Sequence, residues 1–249
     1  MNADPEVQHR LLDLQALDTA LDRLAARRRS LPEIEQIAVL GTRLSTLAAD
    51  LVDAETSSRD LARASAKLEG EVDAVRSRAQ RDQARLDSGA VGSPRELENL
   101  QSEIVSLGRR QGDLEDQLLE LMENAETVQG TVDRLTAEQT TAREEREAAE
   151  QNRDAAFAAI DTETEQKRRD RTELAGQLPA DLVALYEKIR ASSGGVGAAA
   201  LVRRRCEGCH LEVGGAELRE IAALPPDRVV RHEDCRRILV RTEDSGLPA

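Results

Sequence analysis

The chain has 249 residues, 33% of them charged and 1% aromatic, with no Trp, one Tyr and one Phe, and a formal net charge of -13. A globular domain of this length normally fills its core with large aromatics, so the composition excludes an ordinary spherical core and points to long helices or a coiled coil. The acidic balance makes the molecule as a whole repel nucleic acid and anionic membranes, which leaves only local basic patches to bind them.

Asp4 is placed to cap a first helix with Pro5 at its first position. Leu11, Leu14, Leu17, Leu21 and Leu24 give that helix one apolar stripe. It is expected to end near Ser30-Leu31-Pro32, because proline disfavours helical geometry in the residue before it. The helix resumes at Glu33. Ile37, Leu44 and Leu51 then form one heptad series and Leu40, Leu47 and Ala54 its companion. The seam returns with Leu61, Leu68 and Val75 beside Ser65, Val72, Ala79 and Leu86. Sustained heptads of this kind predict a left-handed coiled coil.

Asp87-Ser88-Gly89-Ala90-Val91-Gly92-Ser93-Pro94 clusters Gly, Pro and Ser and predicts a turn at about 88–93. Ser93-Pro94-Arg95-Glu96 reads as a cap opening the next helix. There Leu97, Ile104, Gln111, Leu118, Ala125, Val132 and Gln139 take one heptad position, and Leu100, Leu107, Leu114, Leu121, Val128, Leu135, Ala142 and Ala149 the other. An ordinary amphipathic stripe would drift off a strict seven-residue repeat over this distance. Two arms of similar length around one turn predict an antiparallel hairpin over 1–178. In that register Leu86 lies opposite Leu97, Leu68 opposite Leu114, and the Pro32 break opposite the Glu150 region. Monomer and homodimer both stay open.

Beyond Pro179 a short helix is expected from about Ala180 to Ala191, with Tyr186 anchoring the point where coil meets head. Ser192-Ser193-Gly194-Gly195-Val196-Gly197 reads as a flexible link, so 179–197 forms helix and link. It lacks the Lys-Ser/Thr of a phosphate-binding loop. Ala198 to Val202 suits a strand that opens a small head over 198–243, followed by a flexible tail, 244–249. No apolar run approaches the about 20 residues that span a bilayer. The polar start, Met1-Asn2-Ala3-Asp4-Pro5, lacks a signal peptide's apolar core. A cytoplasmic protein without a membrane partner is expected, and its cysteines then suit metal better than disulfides.

Those cysteines form two knuckles, Cys206-Glu207-Gly208-Cys209 and His232-Glu233-Asp234-Cys235. Two such pairs across a spacer are what a tetrahedral zinc ion needs. Thiolates of Cys206, Cys209 and Cys235 with the imidazole of His232 fill all four positions, so one structural zinc per chain is expected. His210 competes with His232 for the fourth position, although its adjacency to Cys209 makes joint coordination awkward.

Three segments carry a family likeness: Ser93-Pro94-Arg95-Glu96-Leu97-Glu98-Asn99-Leu100-Gln101, Cys206-Glu207-Gly208-Cys209-His210 and Cys235-Arg236-Arg237-Ile238-Leu239-Val240. With them the chain resembles the bacterial C4-type zinc-ribbon proteins that carry an N-terminal coiled coil. The resemblance implies zinc at Cys206, Cys209 and Cys235. The family pattern has cysteine where this chain has His232. Some relatives are similar to adaptors or chaperones that bind sigma factors, secretion components or messenger RNA.

The expected fold is therefore mainly α, a long antiparallel coiled-coil helical hairpin with a small C-terminal zinc-ribbon head. The expected function is a non-enzymatic adaptor whose head binds nucleic acid or a protein partner. Arg203, Arg204 and Arg205 precede the first knuckle, and Arg231, Arg236, Arg237 and Arg241 surround the second. If they converge they form a cationic patch suited to phosphates. With so few aromatics, binding there would be electrostatic rather than by base stacking. The alternative is a protein-only scaffold or chaperone that uses the coiled-coil surface. No nucleophile–base pair, carboxylate dyad or open metal site points to an enzyme.

Overall fold

The computed structural model describes residues 1–247. The fold is mainly α, with helices α1 (Pro5–Arg29), α2 (Pro32–Asp87), α3 (Pro94–Gly176), α4 (Ala180–Ser192) and α5 (Gly215–Ala223). Four short strands complete it: β1 (Ala198–Val202), β2 (Arg205–Cys206), β3 (Val230–Arg231) and β4 (Ile238–Arg241). None of these helices is long and apolar enough to cross a membrane. The residues form two compact units, one of Glu35–Glu150 and one of Met1–Ile34 together with the chain from Gln151 onward.

The Glu35–Glu150 unit is an antiparallel helical hairpin. At its turn the Ser93 hydroxyl accepts from the Glu96 N–H at 3.3 Å, and the Glu96 carboxylate accepts from the Gly92 N–H at 3.3 Å. This reciprocal pair satisfies backbone donors that a helix start leaves open. Ion pairs between the arms report the register. Arg85 meets Glu96 at 2.6 Å, Arg78 meets Glu103, and Glu71 meets Arg110 at 3.7 Å. Each pair lies one heptad further from the turn on both arms, as an antiparallel seam requires. Leu40, Leu47 and Val72 on α2 and Leu100, Leu114, Leu135 and Ala142 on α3 are buried. All are heptad residues, so a narrow stripe supplies the core of this unit.

In the other unit α1 lies against the C-terminal part of α3. Arg28 pairs with Asp161 at 3.0 Å and Asp18 with Arg171 at 3.0 Å. Leu31 packs with Leu24 and Ile160. Ser30 and Leu31 leave the helical conformation between α1 and α2, as Pro32 predicts.

The sheet has the order β2-β1-β4-β3, with β1 and β4 parallel and the outer pairs antiparallel. Successive strand residues face opposite sides. Ile238 and Val240 pack with Leu11 and Leu14 of α1 and Leu182 and Tyr186 of α4. Leu239 packs on the far side with Leu201, Val213, Leu218 and Ile221. β4 is thus buried on both faces, which is typical of a parallel pairing. A parallel pair needs a crossover, and the segment carrying α5 supplies it. The head is no separate lobe beyond 198, because α1 and the N-terminal segment pack on it. The Ala3 N–H donates to the Asp227 carbonyl at 2.7 Å, and the Val229 N–H to the Met1 carbonyl at 3.2 Å.

The Gly-rich link is held rather than free. Gln15 accepts from the Gly197 N–H at 2.7 Å and donates to the Gly195 carbonyl at 3.0 Å. A Cβ at Gly197 would come within 2.6 Å of the Tyr186 carbonyl oxygen and 2.8 Å of its ring. Glycine there permits the close approach that seats the link on α4. Of the expected flexible tail, 244–249, the carbonyls of Asp244 and Ser245 accept from Arg203 and Arg204 N–H groups at 2.7 and 2.9 Å. Its last two residues, 248–249, lie outside the described residues.

Candidate metal centre

The two knuckles are built alike. β2 delivers Cys206, the chain turns, and the His210 N–H donates to the Cys206 carbonyl at 2.7 Å. β3 leads into His232, and the Arg236 N–H donates to the His232 carbonyl at 2.9 Å before β4 begins. Each turn exits through a left-handed residue, His210 at φ 61 and Arg236 at φ 59. Gly208 is required in the first turn, since a Cβ there would stand 2.8 Å from the Ala199 Cβ and 2.9 Å from the Arg237 side chain.

These turns bring Cys206, Cys209, His232 and Cys235 together, with all four donor atoms within 4.8 Å of one another. The Cys206 and Cys235 sulfurs are 4.0 Å apart. His232 presents Nδ1, 3.1 Å from the Cys235 sulfur and 3.4 Å from the Cys209 sulfur. An ion bound at about 2.0–2.3 Å in tetrahedral geometry has ligand edges of about 3.5–3.8 Å. The cluster is of that size, and the four residues lie close enough to bind a metal ion. His210 is instead exposed and lines a groove with Leu12 and Ala16 of α1. The structure thus takes His232, 0% exposed, over His210 for the fourth position.

The thiols differ. Burial pushes Cys206 up to about 12, with the neighbouring Cys235 adding to the effect. Cys235 is brought down to about 7: burial opposes ionisation, but hydrogen bonds from the Arg237 backbone, His232 and Cys209 outweigh it. Cys235 is then the readier thiolate, and Cys206 would have to give up a tightly held proton to serve as a metal ligand.

Residues 14–194 match the CT398-like coiled coil hairpin domain. The chain belongs to that family. The match stops short of the Cys206, Cys209, His232 and Cys235 cluster. Along its length this CT398-like protein is 37% identical over 243 residues to an uncharacterised protein of Mycobacterium tuberculosis, spanning 98% of each chain. It is similar to a solved structure from Mycobacterium smegmatis, with a TM-score of 0.81 and 34% identity over 97% of this chain and 100% of that one. CT398 of Chlamydia trachomatis shares the fold, with a TM-score of 0.65 and 19% identity over 95% of this chain and 98% of that one.

The seven arginines of the CT398-like protein do not gather. Arg203 and Arg204 form the β1–β2 turn at φ 46 and 66. Two successive left-handed residues make the turn that hairpins usually assign to Asn-Gly, and here it projects two exposed cations beside exposed Arg205. Arg231 pairs with Ile238, at the opposite end of the sheet from Val202 and Arg205. A strand of this length separates the two ends by roughly 15 Å. Arg231 and Arg236 stay at that far end, where the Arg231 Nε donates to the Arg236 carbonyl at 2.9 Å. Arg237 and Arg241 are turned to other work. Arg237 donates to the Ser193 and Val196 carbonyls at 2.7 and 3.1 Å. Arg241 donates to the carbonyls of Leu224, Pro225, Pro226 and Arg228 at 2.7–3.2 Å.

Sequence reasoning passed over Glu217. It sits in the first turn of α5, buried beside Leu218 and Ile221. Its Oε1 accepts from the Glu233 N–H at 2.8 Å, inside the second knuckle. The available signal was an acid on the apolar side of a short helix within the spacer between knuckles.

Proposed function

We propose that this protein is a non-enzymatic adaptor with a zinc-stapled head, the coiled-coil hairpin serving as spacer. The observation that carries this reading is the closed donor set of Cys206, Cys209, His232 and Cys235. Soft thiolates with one imidazole in a tetrahedral array suit zinc. Four protein ligands leave no position for substrate or water, so the ion would be structural. It would pin the β2 knuckle to the β3–β4 knuckle in a head with few large apolar side chains. Metal analysis of the purified chain tests this: one zinc per chain is expected, and a folded chain without metal would remove the reading.

The head's binding surface is the Arg203-Arg204-Arg205 turn, exposed and held by Asp244 and Ser245. A fixed triplet of cations on an acidic molecule suits the phosphates of a nucleic acid. Fluorescence anisotropy with single-stranded RNA and duplex DNA across a salt series is the test. Binding should fall steeply with salt, and Arg203/Arg204/Arg205→Ala should abolish it. Undiminished binding by the triple variant at low salt would discard this surface.

A protein-only scaffold is the second reading. Val105, Leu119 and Met122 of α3 are 49–58% exposed. They offer apolar contacts to a partner helix. Absence of nucleic-acid binding by the wild type, with protein capture lost in Leu119/Met122→Lys, would favour it.

A further inference from the structure

We infer that Glu217 is the positioning residue of the metal centre: its carboxylate accepts the Nε2–H of His232 and holds the ring with Nδ1 toward the ion. This rests on the zinc reading above. His232 turns Nδ1 to the sulfurs, which fixes the tautomer with hydrogen on Nε2. Nε2 is buried and has no hydrogen-bond partner within the protein. A buried N–H without an acceptor is costly.

Two carboxylates face Nε2, Glu217 Oε2 at 3.9 Å and Asp234 Oδ2 at 3.8 Å. They are not equivalent. The Asp234 side chain is 64% exposed and solvated, whereas that of Glu217 is 10% exposed. Glu217 is also fixed in place, because its other oxygen holds the Glu233 N–H. That hydrogen bond ties it to the very turn that presents His232. The buried Leu218 and Ile221 anchor α5 against the sheet, and a helix first turn favours a carboxylate. Glu217 therefore lies one small side-chain adjustment from the ring N–H.

The charge balance agrees. Three thiolates and a neutral imidazole carry one negative charge fewer than four thiolates. A carboxylate behind the imidazole returns that charge one bond further out and makes the ring a better donor, as carboxylates behind ligating histidines do. His232 and Glu217 together thus do the work of a fourth cysteine.

The experiment is a double-mutant cycle on the full chain, reading zinc affinity by competition with a chromogenic chelator. Glu217→Gln keeps the shape and an oxygen for the Glu233 N–H, but turns an amide NH2 to the ring. In the wild-type background it should weaken zinc by about tenfold or more. In the His232→Cys background, with no ring N–H to receive, it should cost nothing. Asp234→Asn should be near neutral. Equal losses in both backgrounds would make Glu217 a purely structural residue and overturn the inference, as would a loss confined to Asp234→Asn. Zinc-bound wild type with an undiminished Glu217→Gln overturns the inference alone, whereas a folded wild type that binds no zinc overturns both readings. Should His232→Cys fail to fold, NMR of the His232 Nε2–H in the zinc-loaded protein decides. Slow exchange in the wild type and fast exchange in Glu217→Gln is the expected result, and equal exchange overturns it.

Discussion

The Tyr186 hydroxyl donates to the Asp18 carboxylate at 2.8 Å, joining α4 to α1 in the middle of a buried core. Asp18 is 3% exposed and also accepts from Arg171 at 3.0 Å, with the Arg190 guanidinium at 3.5 Å. Three elements, α1, α3 and α4, therefore meet on one carboxylate. Removing it takes away the acceptor that the three share, leaving Arg171 with Glu187, Arg190 with Asp22 and the Tyr186 hydroxyl with Gln15. Both arginines are partly solvated, which moderates the loss. Asp18→Ala should cost about 3 kcal/mol and Tyr186→Phe about 1 kcal/mol. Urea unfolding followed by circular dichroism reads both, and an Asp18→Ala effect below about 0.5 kcal/mol would deny the network its role.

The same pair sets an alkaline limit. Burial, and then the Asp18 carboxylate, raise the Tyr186 hydroxyl above the ordinary tyrosine range. The folded state holds this proton more tightly than the unfolded chain. Its contribution is intact below pH of about 10 and is lost as pH rises further. The chain has one Tyr and no Trp, so absorbance at tyrosinate wavelengths reports Tyr186 alone. Ionisation should coincide with alkaline unfolding. A free titration near pH 10 in folded protein would contradict the buried hydroxyl.

Two glycines should respond to alanine with opposite signs. Gly197→Ala drives a Cβ into the Tyr186 backbone and ring, and should destabilise by about 2 kcal/mol or more. Gly70 lies inside α2 with nothing within 4 Å of a built Cβ. Gly70→Ala should stabilise by about 0.5–1 kcal/mol through helix propensity. Thermal midpoints of the two variants give the comparison directly, and shifts of the same sign would refute it.

The hairpin should depend on its seam and little on its ion pairs. Arg85–Glu96, Arg78–Glu103 and Glu71–Arg110 are all at least 40% exposed on both partners. Exposed pairs contribute about 0–1 kcal/mol each. Leu114 is 1% exposed, and Leu114→Ala should cost about 2–4 kcal/mol. Denaturation of Leu114→Ala beside Arg78→Ala tests the order, and a larger loss from Arg78→Ala would reverse it.

On the zinc reading proposed above, zinc retention should weaken in acid. The cysteines would bind as thiolates, and burial keeps the Cys206 proton tightly held. Protons therefore compete with the ion, and affinity falls by about tenfold per pH unit for each thiol that must ionise. Chelator competition between pH 8 and pH 6 measures the slope. His232→Ala should lose zinc and His210→Ala should keep it, since only His232 faces the sulfurs. A flat pH profile would argue against thiolate ligation.

What depends on local chemistry and periodicity was legible in the residues alone. The heptad leucines, the Ser93–Glu96 cap and the break at Ser30-Leu31 each act within a few residues, and the turn register followed from the strict seven-residue repeat. The paired knuckles named the four candidate ligands, because short loops leave little freedom in where two donors point. Tertiary packing alone gathered Arg171, Tyr186 and Arg190 around Asp18. It alone turned Arg241 onto backbone carbonyls of the Leu224–Arg228 segment, and it separated Arg231 from Arg203 by the length of a sheet whose β1 and β4 run parallel. It also placed Glu217 beside His232. Those are contacts between residues distant in sequence, and neither periodicity nor spacing encodes where a crossover helix brings its acid.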